Sequence, residues 1–301
     1  MKRIVFIAWG GRGKYRHVLR ALTLASILRK EAEIRFVIKC EGRTPCMVID
    51  KGFPFSFLEE GIPEGELYYI DAIPEEVPEL PEEGKKIFFF EKSNPPYKGI
   101  KFNPFPLDSR DPYRGAKVQV LSPRFRHFHL FFHRRKFKKK GKHLLLALSS
   151  QDSLDFIGNL IEGLYSAGFS LRFVPHFEIS NYHLKKLRKT FPAMKIVRRV
   201  NDLARAFFKC DLAVLSGKLK PFEAAATGTP FILIGEDDDY KEFEKRNIAV
   251  LAKKEVEEVV EVAREIAYNL EKRKLMAESG VNLVDGLGLY RVARVIRSEL
   301  E

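Results

Sequence analysis

The sequence predicts an α/β protein built from two doubly wound domains with parallel sheets. Three observations carry that prediction. Short apolar runs alternate with amphipathic helical stretches along most of the chain, the alternation restarts after a basic segment near residue 140, and residues 210–234 read as strand, turn, short helix and strand. Parallel sheets of this kind are covered by helices on both faces and take their ligands at the carboxyl ends of the strands.

A chain of 301 residues is long for one domain, and 45% hydrophobic content is ample for two packed cores. The boundary is expected near Lys140, giving an N-terminal domain of 1–140 and a C-terminal domain of 141–301. The last helix, 287–300, is expected to cross back to the first domain.

In the first domain, residues 4–8 form a buried strand and Gly10, Gly11 and Gly13 a turn. A helix follows over 17–29, with leucines at 19, 22, 24 and 28 marking one buried face and Arg20 and Arg29 off it. A strand at 34–39, a helix at 45–51 ended by Gly52, and strands at 67–71 and 87–91 come next. An acidic, proline-rich loop occupies 74–84. Residues 92–115, rich in Pro, Asn, Gly and Tyr, read as loop, and 118–121 as a last strand.

The second domain repeats the pattern: strand 144–148, helix 153–167, strand 170–174, helix 180–190, strand 194–198, helix 201–208 and strand 212–215. Ser216-Gly217 then punctuates the chain before a short helix carrying Glu223, which Gly228 ends as a C-cap glycine would. Strand 231–234, a charged segment at 236–246, strand 248–251, one long amphipathic helix at 256–277 and the closing helix complete the chain. Two such Rossmann-like domains facing a cleft make a GT-B arrangement.

The net charge of +13 suits acidic partners such as phosphates on a small substrate, an anionic membrane or nucleic acid. Cys40, Cys46 and Cys210 are too few and too widely spaced for a disulfide framework or a four-ligand zinc site. Met-Lys-Arg leads straight into a strand and no stretch reaches about 18 apolar residues, so a soluble, cytoplasmic protein without a signal peptide is expected. His127, His129 and His133 would share one face of a strand, but no carboxylate or cysteine accompanies them and no metal is expected. The basic run 133–143, with phenylalanines nearby, suits a transient membrane-surface contact. Without an RNP, KH or zinc-finger signature it argues against nucleic acid, and it reads as solvated linker.

The glycine-rich turn would let backbone amides approach a phosphate or sugar closely. It is neither G-x-G-x-x-G nor a P-loop, since Ala8 stands at the first glycine position and Tyr15 follows Lys14. The segment HVLRALTLASIL from His17 resembles the G-H-x-x-R-x-L-x-L-A opening of the nucleotide-sugar hydrolases of the pseudaminic-acid pathway and the related spore-coat polysaccharide proteins. His17, Arg20, Leu22, Leu24 and Ala25 fall on its positions, with Arg16 in place of the usual glycine. These families are relatives of the MurG-type glycosyltransferases. Further similarity lies in Ile70-Asp71 and Phe90-Glu91, in SPRF at 122, in the Glu223, Gly228 and Pro230 spacing, and in DGLGLYRVARVI from Asp285.

The resemblance implies a metal-independent enzyme without a cofactor, acting on a UDP-sugar at the anomeric carbon with inversion, as hydrolase or glycosyltransferase in surface-polysaccharide or nonulosonate-type biosynthesis. It makes His17 the base that activates water, a task suited to a neutral imidazole. It places a diphosphate against Ser216 and Gly217, and the ribose hydroxyls on Glu223. Gly10, Gly11, Gly13 and Arg20 fall to the sugar or phosphate loop. Departures from the pattern leave alternatives open, among them Asp237 to Asp239 in place of an Asn-Gln pair after the strand ending at Ile234. Gly217-Lys218-Leu219-Lys220 replaces G-G-S-T, and Ser149-Ser150-Gln151-Asp152 replaces G-G-x-D. Lys218 and Lys220 either supply charge to the diphosphate or fill its pocket, the latter giving a catalytically inactive binding protein. Nucleic-acid binding is a third reading. The sugar, the base and the oligomeric state stay open.

Overall fold

The apolar run at the amino terminus becomes β1 (Arg3–Ala8), buried at five of its six positions. In the computed structural model, which describes residues 1–9, 15–72, 74–90, 97–102, 115–176, 179–198, 200–236 and 238–301, this strand is central to a parallel sheet. Around it stand α1 (Arg16–Leu28), β2 (Glu33–Ile38), α2 (Thr44–Asp50), β3 (Phe55–Phe57), β4 (Leu67–Asp71), β5 (Lys85–Phe89) and β6 (Ile100–Phe102). Among the described residues the sheet has six strands in the order β3-β2-β1-β4-β5-β6. Its order reverses between β1 and β4, which pair with Ala8 opposite Asp71.

Two of these strands differ from expectation. Three-residue β3 and β6 are too short to show a period, and β6 lies in the stretch read as loop; pairing with β2 and β5 makes them strands. Residues 118–121 are not a strand: Gly115–Val118 forms a single helical turn. Gly10, Gly11, Gly13 and Glu91 lie outside the described residues.

The C-terminal helix, Gly288–Leu300, completes this first unit, which comprises Met1–Leu121 and Leu287–Glu301. Leu289, Val292, Ala293 and Ile296 are fully buried in the same core as Ile4, Phe6, Val18 and Leu24. Gly288 permits that approach, because a Cβ there would stand 2.3 Å from the Gln119 carbonyl oxygen. Arg297 adds a bidentate pair to Glu31 at 2.6 and 2.8 Å.

The second unit is Ser122–Gly286. It holds α3 (Pro123–Leu130), β7 (His143–Ala147), α4 (Leu154–Ser166), β8 (Ser170–Phe173), α5 (Asn181–Thr190), β9 (Lys195–Ile196), α6 (Val200–Lys209), β10 (Leu212–Leu215) and α7 (Lys220–Ala226). β11 (Phe231–Ile234), α8 (Asp238–Lys245), β12 (Ala249–Ala252), α9 (Val256–Tyr268) and α10 (Leu270–Leu283) follow. Its sheet, also parallel, runs β12-β11-β10-β7-β8-β9 and reverses between β10 and β7.

Three corrections belong here. Residues 122–140 pack with the second unit rather than the first, because Phe125 and Phe128 of α3 lie against Phe207 and Phe208 of α6, with ring centroids 6.4 and 5.0 Å apart. Pro123 at the start of α3 opens a helix, so His127 and His129 do not share the face a strand would give them. The single long helix over 256–277 is two helices. Asn269 breaks it by leaving helical geometry and accepting the Lys272 N–H, capping α10.

Candidate functional site

Each sheet carries a buried polar cluster at the carboxyl ends of its two central strands, where strand order reverses and a doubly wound sheet leaves its crevice. In the first unit the cluster is built on Asp71. β4 ends with this carboxylate beside Ala8, and α1 brings His17 and Arg20, one turn apart, over the same strand ends.

Asp71 is fully buried and entirely engaged. Its Oδ1 accepts from His17 Nδ1 at 2.7 Å and from Arg20 Nη2 at 2.7 Å. Its Oδ2 accepts from Arg20 Nε at 2.6 Å and from the Tyr69 hydroxyl at 3.0 Å. Burial by itself would raise the carboxyl pKa, but the Arg20 charge, the Arg20 hydrogen bonds and His17 outweigh it and hold the group at about 2. Burial and the neighbouring carboxylate push the Tyr69 hydroxyl the other way, well above its ordinary value. At neutral pH the group is therefore an aspartate facing a guanidinium, and the imidazole donates its Nδ1–H to it. That bond fixes the tautomer in which Nε2 carries the lone pair.

Arg20 does not lie off the buried face, as the leucine spacing suggests. It is 5% exposed, with its guanidinium 5.1 Å from the Phe89 ring centroid and two of its nitrogens committed to Asp71. The reason is charge pairing: a buried carboxylate draws an arginine across a face that periodicity alone leaves polar. Nearby, buried Trp9 donates from Nε1 to Glu76 at 3.0 Å, and Lys39 reaches the same Glu76 oxygen at 2.8 Å.

In the second unit the cluster is built on Asp152. Its Oδ2 accepts from the Ser149 amide at 3.0 Å, from the Ser149 hydroxyl at 3.1 Å and from the Ser216 hydroxyl, while Oδ1 meets Lys254 Nζ at 2.6 Å. Ser216 Oγ also accepts the Ser149 amide at 2.7 Å. The turns after β7 and β10 are thereby tied to one carboxylate. Burial opposes the charge on Asp152, but Lys254 and Ser216 prevail and its pKa is lowered.

Gly217 follows with φ +81°, a backbone conformation that favours glycine, and a Cβ there would sit a tight 3.2 Å from that of Ser149. Its amide donates to the Tyr240 hydroxyl at 2.6 Å. Lys218 is half-buried. Pro221 stands in the first turn of α7, next to Lys220, and Glu223 is drawn inward, 6% exposed, to meet Lys220 Nζ at 2.8 Å. Burial raises the Glu223 pKa against the opposing pull of Lys220.

The structure thus gathers Ser216, Gly217, Lys220 and Glu223 around one turn, and separately joins His17 to Arg20. Asp71, Tyr69, Asp152, Tyr240 and Lys254 were not singled out as site residues by sequence. The legible signal was an acid closing an apolar strand at Asp71; nothing local marks Tyr240 or Lys254, whose partners are 23 and 102 residues away. Among the described residues no group of three or more His, Cys, Asp or Glu side chains is placed to hold a metal, and no helix is long and apolar enough to cross a membrane.

The fold is of the GT-B class: two Rossmann-like α/β units, each on a parallel sheet. Solved structures share it at low sequence identity. MurG of Acinetobacter baumannii superposes with a TM-score of 0.65 at 13% identity, covering 99% of this chain and 100% of that one. HepE of Anabaena, solved with UDP and glucose, gives 0.55 at 12% identity, covering 99% and 100%. UDP-GlcNAc 2-epimerase of Neisseria meningitidis, bound to UDP-GlcNAc, gives 0.58 at 10% identity, covering 100% and 99%. No protein-family model and no curated protein sequence matches the chain.

Proposed function

We propose that the protein acts on a nucleotide-activated sugar, in the first instance a UDP-sugar, breaking the bond from the anomeric carbon to the diphosphate with inversion. The observation that carries this reading is the 2.7 Å bond from His17 Nδ1 to an aspartate held ionised by Arg20. A carboxylate that orients an imidazole, and that Arg20 keeps from taking up its proton, makes a base without a metal. His17 Nε2 accepts the proton of a water or sugar hydroxyl as its oxygen attacks the anomeric carbon. The carbon–oxygen bond to the diphosphate breaks on the opposite face, and UDP leaves with the electron pair.

The second unit supplies the nucleotide site in this reading. The Gly217 turn with Lys218 and Lys220 takes the diphosphate, and Glu223 takes the ribose diol, two donors meeting two acceptor oxygens. Support comes from the GT-B neighbours whose structures contain UDP, UDP-glucose or UDP-GlcNAc. Ligand entry exchanges two contacts: Tyr240 releases the Gly217 amide and Lys220 releases Glu223.

Those same contacts favour one second reading, a GT-B protein that has closed its nucleotide turn and lost catalysis. One experiment separates them. UDP release from UDP-GlcNAc and related UDP-sugars is measured for the natural protein and for His17→Ala, with UDP affinity measured in parallel. The enzyme reading expects turnover to fall by at least about a hundredfold, in the range of a lost general base, with UDP affinity changed by no more than a few-fold. Turnover that survives the substitution removes His17 from its role. A protein that binds UDP and turns over none of the UDP-sugars leaves the second reading.

A further inference from the structure

Between His133 and His143 the chain carries seven arginines and lysines, and no aspartate or glutamate occurs from residue 112 to residue 151. A run of that composition is ordinarily a solvated, self-repelling linker. Here its backbone is pinned to the second unit. Arg135 donates to the carbonyl oxygens of Phe208 at 3.0 Å, Thr227 at 3.3 Å and Cys210, and to Thr229 Oγ1 at 3.3 Å. Arg273, fully buried on α10, donates from Nη2 to the carbonyls of Lys138 at 2.8 Å and Lys139 at 3.3 Å, and from Nε to that of Ile266 at 3.1 Å. The Gly141 amide donates to Ala267, and those of Lys142 and His143 to the Asp211 carboxylate.

Burying a guanidinium carries a desolvation penalty that a solvated linker gives no reason to meet. Its consequence is a fixed strip whose cations stay outside: Arg134, Lys136, Lys138, Lys139, Lys140 and Lys142 are all exposed. Each end of the strip has an exposed apolar side chain. Leu130, whose carbonyl oxygen accepts from His133 Nδ1 at 3.1 Å, is 55% exposed, and Tyr268, 5.1 Å from Lys140 Nζ, is 64% exposed.

We propose that this strip docks the protein on an anionic lipid bilayer. The lysines meet headgroup phosphates, while Leu130 and Tyr268 enter the interfacial layer, where an aliphatic chain and an amphipathic ring are both favoured. Charge complementarity selects an acidic surface, and the apolar flanks select a lipid one. A single-stranded RNA would use the same cations but has no partner for an exposed leucine, and one face of Tyr268 is already occupied by the Lys140 ammonium. The inference does not depend on the proposed catalytic reading.

The test is flotation of the full chain with phosphatidylcholine vesicles, with and without a fraction of phosphatidylglycerol. Binding is expected only to the anionic vesicles, weakening as ionic strength rises. Replacing Lys138, Lys139 and Lys140 together by glutamine is expected to lower partitioning on the order of a hundredfold, at about fivefold per lysine. Leu130→Gln is expected to lower it without changing its salt dependence. All four positions are exposed, and a thermal melt confirms that each variant is folded. Absence of binding to anionic vesicles, equal binding to neutral ones, or unchanged binding by the triple variant overturns the proposal. Tighter binding to a single-stranded RNA oligonucleotide than to the anionic vesicles overturns it in favour of RNA.

Discussion

At the scale of single residues, Asp71 has the most to decide. It is buried with two donors of positive or potential positive charge, so replacing it is not a local matter. Asp71→Asn leaves the Arg20 guanidinium buried without a counter-charge, a loss expected to cost about 3–5 kcal/mol of folding stability. The pH dependence follows from the depressed pKa. Because the folded-state value of about 2 lies below the unfolded value, the stabilisation is fully present above pH 4 and is lost as pH falls through 2. Lowering the carboxyl from its ordinary 3.8 to about 2 corresponds to roughly 2 kcal/mol. Urea unfolding of the natural protein and of Asp71→Asn is expected to show a stability gap that narrows between pH 4 and pH 2. A gap that is constant across that window contradicts the ionised, paired aspartate. His17 was legible from its motif, and Asp71 only as an acid ending a strand, because a partner 54 residues distant becomes a partner only through the parallel pairing of β1 with β4.

At the scale of elements, legibility depended on length and on who covers what. Strands with four or more apolar residues, such as β7 and β10, declare themselves by composition. β3 and β6 exist through their neighbours, and α3 lies where the alternating histidines suggest a strand, while Pro123 opens a helix whose Phe125 packs inward. The break between α9 and α10 is instructive, because the amphipathic pattern runs through it and only the cap marks it. Asn269 accepts the Lys272 amide at 2.9 Å and satisfies a donor that the preceding helix would otherwise have to cover. Asn269→Ala is expected to reduce the stability of the second unit by about 1 kcal/mol, as loss of an N-cap does. Asn269→Asp or Asn269→Ser is expected to restore it. A chemical-denaturation series checks both; equal stability of the alanine and serine variants would mean that packing alone sets the break.

At the scale of the whole molecule, the first unit is discontinuous in sequence, so its core is complete only when residues 287–301 have joined residues 1–121. Leu289, Val292 and Ile296 are fully buried there, at about 1.5–3 kcal/mol each, which amounts to about 5–9 kcal/mol before the Arg297–Glu31 pair is considered. That is comparable to the entire stability of an ordinary domain, whereas none of these side chains belongs to the core of the second unit, formed by residues such as Leu146, Leu160 and Val214. Truncation after Gly286 is therefore expected to unfold the first unit and leave the second. Calorimetry of the truncated chain should show the transition of the second unit alone, and amide exchange should find α1 and β1 unprotected while β7 and β10 remain protected. Milder damage keeps the logic intact: Val292→Ala and Ile296→Ala in the full chain are each expected to lower only the first unit's transition, by about 1–4 kcal/mol. Full protection of β1 after truncation would show instead that residues 1–121 hold a sufficient core by themselves. The expected result gives the segment DGLGLYRVARVI a structural task. The turn at Asp285 to Gly288 delivers a helix to a core that began almost three hundred residues earlier, and a glycine at 288 is what lets it reach the Gln119 backbone.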